Sequence, residues 1–255
     1  MDIVRLVKGI LFPDQCRLCG EVSCRSGDLC VGCMEVFARE SNEVCPICGE
    51  HVGKCVCGTD FSAHTSEIGS SRYAALTFYK SRTAYPDSDR ITERMIFAMK
   101  SAGGYTGFFA CELASLLRRM FSENVTDINE YRVTFIPRTE ARLRTQGIDQ
   151  SEELASMLAK EIHLPFDRIF SRSQGSEQKS LGVRQRTENM EKSLYISGQV
   201  KKDGKYLLVD DIITSGASMT AAARLLRFEG ALEVFPTAAA RTMMPPCREI
   251  YKIKE

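Results

Sequence analysis

The chain carries almost no charge of either sign in excess: 34 lysines and arginines stand against 33 aspartates and glutamates over 255 residues, a net charge of +1. Such a balance exerts no global pull toward nucleic acid or an anionic membrane, although it leaves room for a local basic patch. A long apolar run is also missing. The opening stretch MDIVRLVKGILF places Ile3, Val4, Leu6, Val7, Ile10 and Leu11 near helical spacing, but Arg5 and Lys8 interrupt it. It is too short and too charged to span a bilayer, and no small-x-small cleavage site follows. These absences predict a soluble, cytoplasmic protein that engages no membrane, its first residues forming a short helix docked on the body. No internal repeat or low-complexity linker is visible. With 44% hydrophobic residues the chain can bury a core of one large domain, or of one domain plus a small module.

Cysteine is abundant and unevenly placed. Nine of the eleven lie between Cys16 and Cys57, eight of them in close pairs: Cys16/Cys19, Cys30/Cys33, Cys45/Cys48 and Cys55/Cys57. Without an export signal the disulfide reading lacks an oxidising compartment, whereas paired thiolates on one turn suit a tetrahedral ion. Zinc is the first choice and iron the lesser one. Sequential pairing puts Cys16, Cys19, Cys30 and Cys33 around one ion and Cys45, Cys48, Cys55 and Cys57 around a second. An interleaved cross-brace is the alternative, and His51 is a substitute ligand in the second site, whose CVC pair is compressed. In CRLCG and CPICG a glycine follows the second cysteine, where it frees backbone N–H groups to approach sulfur. A span of about 45 residues has too little apolar area to fold unaided, so metal would supply much of its stability. All ligand positions are filled by protein, which makes the sites structural rather than catalytic.

After Gly58 the cysteines thin out and periodic segments begin. YAALTFY (73–79) and YRVTFIP (131–137) read as strands; ITERMIFAMKS and TGFFACELASLLRRM read as helices broken at Gly103 and Gly104. Asp149 with Glu152 three residues on resembles a capping box opening a helix through about Ile162. KYLLVDD is a continuous apolar strand, ASMTAAARLLRFEG a helix closed by Gly230, and LEVFPTAAA a further strand. Alternating strands and helices predict an α/β fold with a parallel sheet. Ligands of such sheets sit beyond the carboxyl ends of strands, where Asp210 and Asp211 fall. Thr214, Ser215, Gly216, Ala217 and Ser218 then make the turn into a helix, a place suited to a phosphate monoester. Carboxylates cannot serve that phosphate; they suit hydroxyls or a hydrated cation, so a sugar phosphate satisfies both halves. The plain alternatives are a solvated acidic rim for the aspartates and an exposed charged face for Arg138, Arg142 and Arg144.

LLVDDIITSGAS (207–218) closely resembles the phosphoribosyl pyrophosphate (PRPP) signature of type I phosphoribosyltransferases. Its combination with CRLCG, CVGC and CPICG in front, IPRTEARLRTQGIDQ (136–150) and QKSLGVRQRTEN (178–189) resembles the ComF family of late competence proteins. The resemblance implies a small N-terminal cysteine zinc ribbon over residues 1–60 followed by a type I phosphoribosyltransferase-like parallel-sheet domain over 61–255. It implies that Asp210 and Asp211 meet the ribose hydroxyls, with Ile212 and Ile213 leading into the 5′-phosphate loop Thr214–Ser218. Pro137 and Arg138 stand where a separate loop binds pyrophosphate, which makes Asp210, Asp211 and Arg138 the candidate catalytic residues. Arg142, Arg144 and Gln150 belong to an arginine-rich run, and Arg172, Gln178, Arg186 and Asn189 to a mobile hood; all are candidate hood or nucleic-acid contacts. Where the family commonly has a proline-hydrophobic-proline turn this chain reads FIPRTEAR, and Ile148 replaces a usual aromatic. The implied cofactors are two structural zinc ions, and magnesium bound with PRPP. The implied partners are PRPP, single-stranded DNA and a DNA-uptake helicase or recombination protein. A transferase acting on PRPP and a regulator that binds PRPP without transfer both fit.

Overall fold

A computed structural model describes residues 15–16, 18–22, 29–45, 53, 73–80, 90–102, 104–122, 127–173 and 193–242. Its centre is a four-stranded parallel sheet of β1 (Ala74–Tyr79), β2 (Tyr131–Phe135), β5 (Lys205–Ile213) and β6 (Glu233–Thr242), in the order β1-β6-β5-β2. The two remaining strands, β3 (Phe170–Arg172) and β4 (Leu194–Ile196), pair antiparallel as the stem of a hairpin. Helices α1 (Val31–Asn42), α2 (Ile91–Ala102), α3 (Thr106–Ser122), α4 (Glu140–Gln146), α5 (Gln150–Ile162) and α6 (Ala217–Phe228) complete the described elements.

Strand β5 shows why the sheet is buried on both faces. Leu207 and Val209 join a core shared with α2, α3 and α5, whereas Tyr206 and Leu208 join the core under α6 and the hairpin. An uninterrupted apolar run is what such a doubly covered strand requires. Interior strand β6 carries Pro236, which has no N–H to donate. It is tolerated because the β1 ladder begins one residue later, at Thr237, so the sheet is still open on that side.

The cysteine segment packs as part of the larger body. Cys16, Leu18, Leu29, Cys33 and Phe37 share one buried cluster with Met95, Phe109 and Leu113. Phe37 packs edge-on against Phe108, with ring centroids 5.0 Å apart. The opening stretch, the residues around Cys24 and His51, and Cys247 lie outside the described residues. Among the described residues no helix is long and apolar enough to cross a membrane.

Candidate functional site

Strand β5 delivers Asp210 and Asp211 to the carboxyl end of the sheet, and three residues later the chain turns into α6. Gly216 makes the turn at φ 79°, a left-handed conformation that glycine adopts freely. A β-carbon built on it meets nothing within 4 Å, so open space lies above the loop. Thr214 and Ser215 are exposed, and Ala217 and Ser218 half-buried. The first backbone bond of α6 runs from Thr220 N–H to the Gly216 carbonyl at 2.8 Å. Ahead of it, Ala217 N–H reaches Ser215 Oγ at 3.4 Å, a long contact. The turn and helix start thus stand as expected, with donors at the end where the macrodipole favours an anion.

The acids do not form a solvated rim. Asp211 is buried, its Oδ2 taking Arg138 Nη2 at 2.7 Å and Lys100 Nζ at 3.1 Å. Burial raises the Asp211 pKa, but the Lys100 and Arg138 charges outweigh it and hold the carboxyl below its usual range. Asp210 behaves oppositely. Burial, and then the Asp211 charge beside it, push its pKa up to about 7, while the Ser151 hydroxyl, donating to Oδ1 at 2.9 Å, works against them. Environment therefore separates the two carboxylates: one stays ionised and one titrates near neutrality.

Arg138 belongs to the site rather than to an exposed face. Its backbone N–H donates to Asp149 Oδ2 at 2.8 Å, and Pro137 before it is buried. Asp149 also caps α5, accepting from Ser151 and Glu152 N–H at 3.1 and 3.3 Å. Burial raises the Asp149 pKa, and the amides of Arg138 and Glu152 oppose that rise. Only half of the expected capping box forms, because the Glu152 side chain pairs outward with Arg168 at 2.6 Å.

Lys100 joins the site at Asp211, and nothing in the sequence singled it out. It closes α2, and its carbonyl accepts Gln150 Nε2 at 3.0 Å. Gln150, expected as a hood or nucleic-acid contact, is 1% exposed: the start of α5 abuts the end of α2, and the amide joins them. Arg142 and Arg144 do lie exposed, on α4, where Arg144 meets Glu140 at 3.5 Å. Arg172 sits on the hairpin stem, and burial lowers its pKa while the Asp210 charge opposes that. Its Nε and Nη2 are buried without a hydrogen-bond partner. Gln178, Arg186 and Asn189 lie outside the described residues.

The first cysteine quartet assembles. The Sγ atoms of Cys16, Cys19, Cys30 and Cys33 all lie within 4.8 Å of one another. Tetrahedral zinc, with bonds of about 2.3 Å, needs sulfurs roughly 3.8 Å apart, so the quartet fits that ion. Gly20 adopts φ 79° after the second cysteine, and Cys30 caps α1 by accepting Cys33 N–H at 3.4 Å. Burial raises the Cys33 pKa, and the neighbouring sulfurs raise it further. Cys16 is also desolvated, yet the backbone N–H groups of Cys30, Cys19 and Leu18 bring it down to about 6. Of the second quartet, Cys45 is buried, and Cys48, Cys55 and Cys57 lie outside the described residues.

Residues 144–239 match the family described as phosphoribosyl transferase domain. That span contains the whole of LLVDDIITSGAS and begins six residues after Arg138. Competence protein ComFC of Streptococcus pneumoniae is 27% identical over 243 residues, which cover 86% of this chain and 96% of that one. Among solved structures, a hypoxanthine-guanine phosphoribosyltransferase of Bacillus anthracis aligns at TM-score 0.37 and 17% identity, covering 56% of this chain and 72% of that one. UMP synthase of Leishmania donovani aligns at TM-score 0.35 and 18% identity, covering 62% of this chain and 27% of that one. The chain spans about a quarter of the length of the first two solved structures matched, 25% and 27%. Beside the parallel sheet, the acid pair before a glycine turn and the four-cysteine cluster, the chain is thus similar to competence protein ComFC over most of its length and to the phosphoribosyl transferase domain family over residues 144–239.

Proposed function

We propose that the end of β5 and the start of α6 bind PRPP in a cytoplasmic phosphoribosyltransferase-like protein that handles incoming single-stranded DNA during competence. Asp210 and Asp211 take the ribose hydroxyls, and Ile212, Ile213 and the loop Thr214–Ser218 cradle the 5′-phosphate. Pro137, Arg138 and Lys100 face the pyrophosphate. The observation that carries this reading is the shared carboxylate: Asp211 Oδ2 lies 2.7 Å from Arg138 and 3.1 Å from Lys100, at the head of a glycine turn with open space above it. Acid for a diol and cations for a leaving group thus stand side by side.

Transfer to an acceptor breaks the C1–O bond of ribose, and pyrophosphate leaves with the electron pair while a nucleophile adds to C1. The chain contributes positioning and charge: Arg138 and Lys100 stabilise the departing anion, and the acid pair orients the sugar. The carboxylates of Asp210 and Asp211 are oxygen donors of the kind that would hold magnesium, which would neutralise part of the pyrophosphate charge. Zinc at the first quartet, and a second zinc at Cys45, Cys48, Cys55 and Cys57, are structural. The match to ComFC supports the competence role, with the exposed Arg142 and Arg144 as strand contacts and a DNA-uptake helicase or recombination protein as partner; the buried guanidinium of Arg172 does not suit that contact.

Equilibrium dialysis of labelled PRPP with magnesium tests the binding. Saturable binding displaced by both ribose 5-phosphate and pyrophosphate is expected, since each occupies one half of the site. PRPP retention that neither competes away would remove the reading. Pyrophosphate release in the presence of single-stranded DNA or free bases then separates a transferase from a protein that only binds PRPP.

A further inference from the structure

Helix α2 is gripped at both ends, and the two grips belong to different sites. At its start, Thr92 N–H and Oγ1 both donate to Glu40 Oε2, at 3.2 and 2.6 Å. Glu40 is 6% exposed and lies on the buried stripe of α1 with Phe37 and the cluster ligand Cys33. A carboxylate at a helix N-terminus satisfies amides ahead of the ladder and the positive end of the dipole. Two residues on, Arg94 Nη2 donates to the Leu18 carbonyl, which sits inside the turn between Cys16 and Cys19. One anchor, the Leu18 carbonyl, is next to the ligand Cys19, and the other, Glu40, lies two turns along α1 from the ligand Cys33. At the far end, about 12 Å along the axis from Thr92, Lys100 holds Asp211.

One flank of α2 has room to move. A cavity of about 460 Å³ runs beside it, bordered by Leu18, Tyr79, Arg90, Arg94, Phe97 and Lys100. Met95 and Met99, which do not border the cavity, are fully buried in the core.

We propose that α2 couples the cysteine cluster to the sugar-phosphate site, with Glu40, Thr92 and Arg94 as the positioning residues that keep Lys100 at Asp211 while the cluster is loaded. This rests on the PRPP reading above and on the fit of the quartet to zinc. Metal cross-links the Cys16–Cys19 turn to the start of α1, which fixes the Leu18 carbonyl and Glu40 together. Loss of metal frees both anchors, α2 shifts into the cavity, and Lys100 withdraws from Asp211. A pyrophosphate gathered by Lys100 acts back along the same helix, so each ligand strengthens the other by the same factor.

The full zinc-loaded chain tests this with two readouts. Zinc affinity is measured by chelator competition with and without saturating PRPP and magnesium, the Asp210→Asn/Asp211→Asn protein serving to correct for zinc held by PRPP itself. Zinc should bind about fivefold or more tightly with PRPP present in the wild type, and equally in Arg94→Ala, with Arg94→Lys restoring part of the effect. A merely structural role for Arg94 would leave this linkage intact. Hydrogen exchange over residues 97–102 reads the helix without PRPP: zinc removal should speed it about fivefold or more in the wild type. PRPP that binds while leaving zinc affinity unchanged, or exchange at 97–102 indifferent to zinc, overturns the coupling. A loaded wild type that fails to bind PRPP overturns the PRPP reading instead, and the exchange result then decides the coupling.

Discussion

Replacing Asp211 by asparagine removes one negative charge and leaves two cations facing each other. The side chains of Asp211 and Arg138 are each 11% exposed, and that of Lys100 is 32% exposed. Breaking a buried ion pair by deleting one partner costs about 3–5 kcal/mol, because the remaining charge is stranded. Asparagine keeps a carbonyl oxygen for the Arg138 donor, so the low end, about 3 kcal/mol, applies. In a chain of this size that lowers Tm by about 6–12 °C. Lys100→Met alone costs about 1 kcal/mol, since water screens a third of that side chain. The two changes together should cost about 2 kcal/mol, less than Asp211→Asn alone, because the double variant removes one of the stranded cations. Thermal and urea unfolding of the wild type, both single variants and the double variant measure this. Costs that add, or an Asp211→Asn protein within about 1 kcal/mol of wild type, would refute a shared buried charge.

Three further outcomes follow from local geometry. Gly216→Ala forces a β-carbon into a left-handed conformation, φ 79°, in open space, so calorimetric unfolding should show a loss of about 1–2 kcal/mol without a packing defect, and a stabilised variant would contradict the turn. Asp210, pushed up to about 7 by burial and by Asp211, still holds a proton that the unfolded chain loses near pH 4. Its contribution to stability is therefore complete below pH 4 and lost as pH rises through 7, so the stability of wild type relative to Asp210→Asn should fall across that window, as urea unfolding from pH 4 to 8 will tell. Arg144→Ala removes an exposed contact to Glu140 and should change stability by less than about 0.5 kcal/mol, while weakening single-strand binding in a salt-dependent way.

The chain announces the parts of the site that are local. An apolar run ending in two aspartates, followed by small hydroxylic residues around a glycine, fixes strand, carboxyl end and helix start within twelve residues, and the structure keeps all three. Paired cysteines announce their turns in the same way. Lys100 was not legible, because its meaning arises only when a helix from early in the domain closes against a strand some 110 residues later. Helix α1 was hidden by its own cysteines: Cys30 and Cys33 read as a metal turn, and the buried stripe of Cys33, Phe37 and Glu40 includes a charge that no apolar periodicity flags. Gln150 groups by sequence with the arginine-rich run as a hood or nucleic-acid contact, but its amide is buried, because the neighbouring helix end supplies its acceptor. Arg138 was expected in the site, with an exposed face as the alternative, and what the sequence did not show is its partner: only the fold puts its guanidinium against Asp211.

Calorimetric titration of PRPP with magnesium into the zinc-loaded protein, beside the Asp210→Asn/Asp211→Asn variant, tests the central claim most directly. One site per chain, lost in the variant while its zinc content and fold persist, is the predicted result. Equal binding by both proteins, or heat from neither, would contradict an acid pair that holds a sugar phosphate.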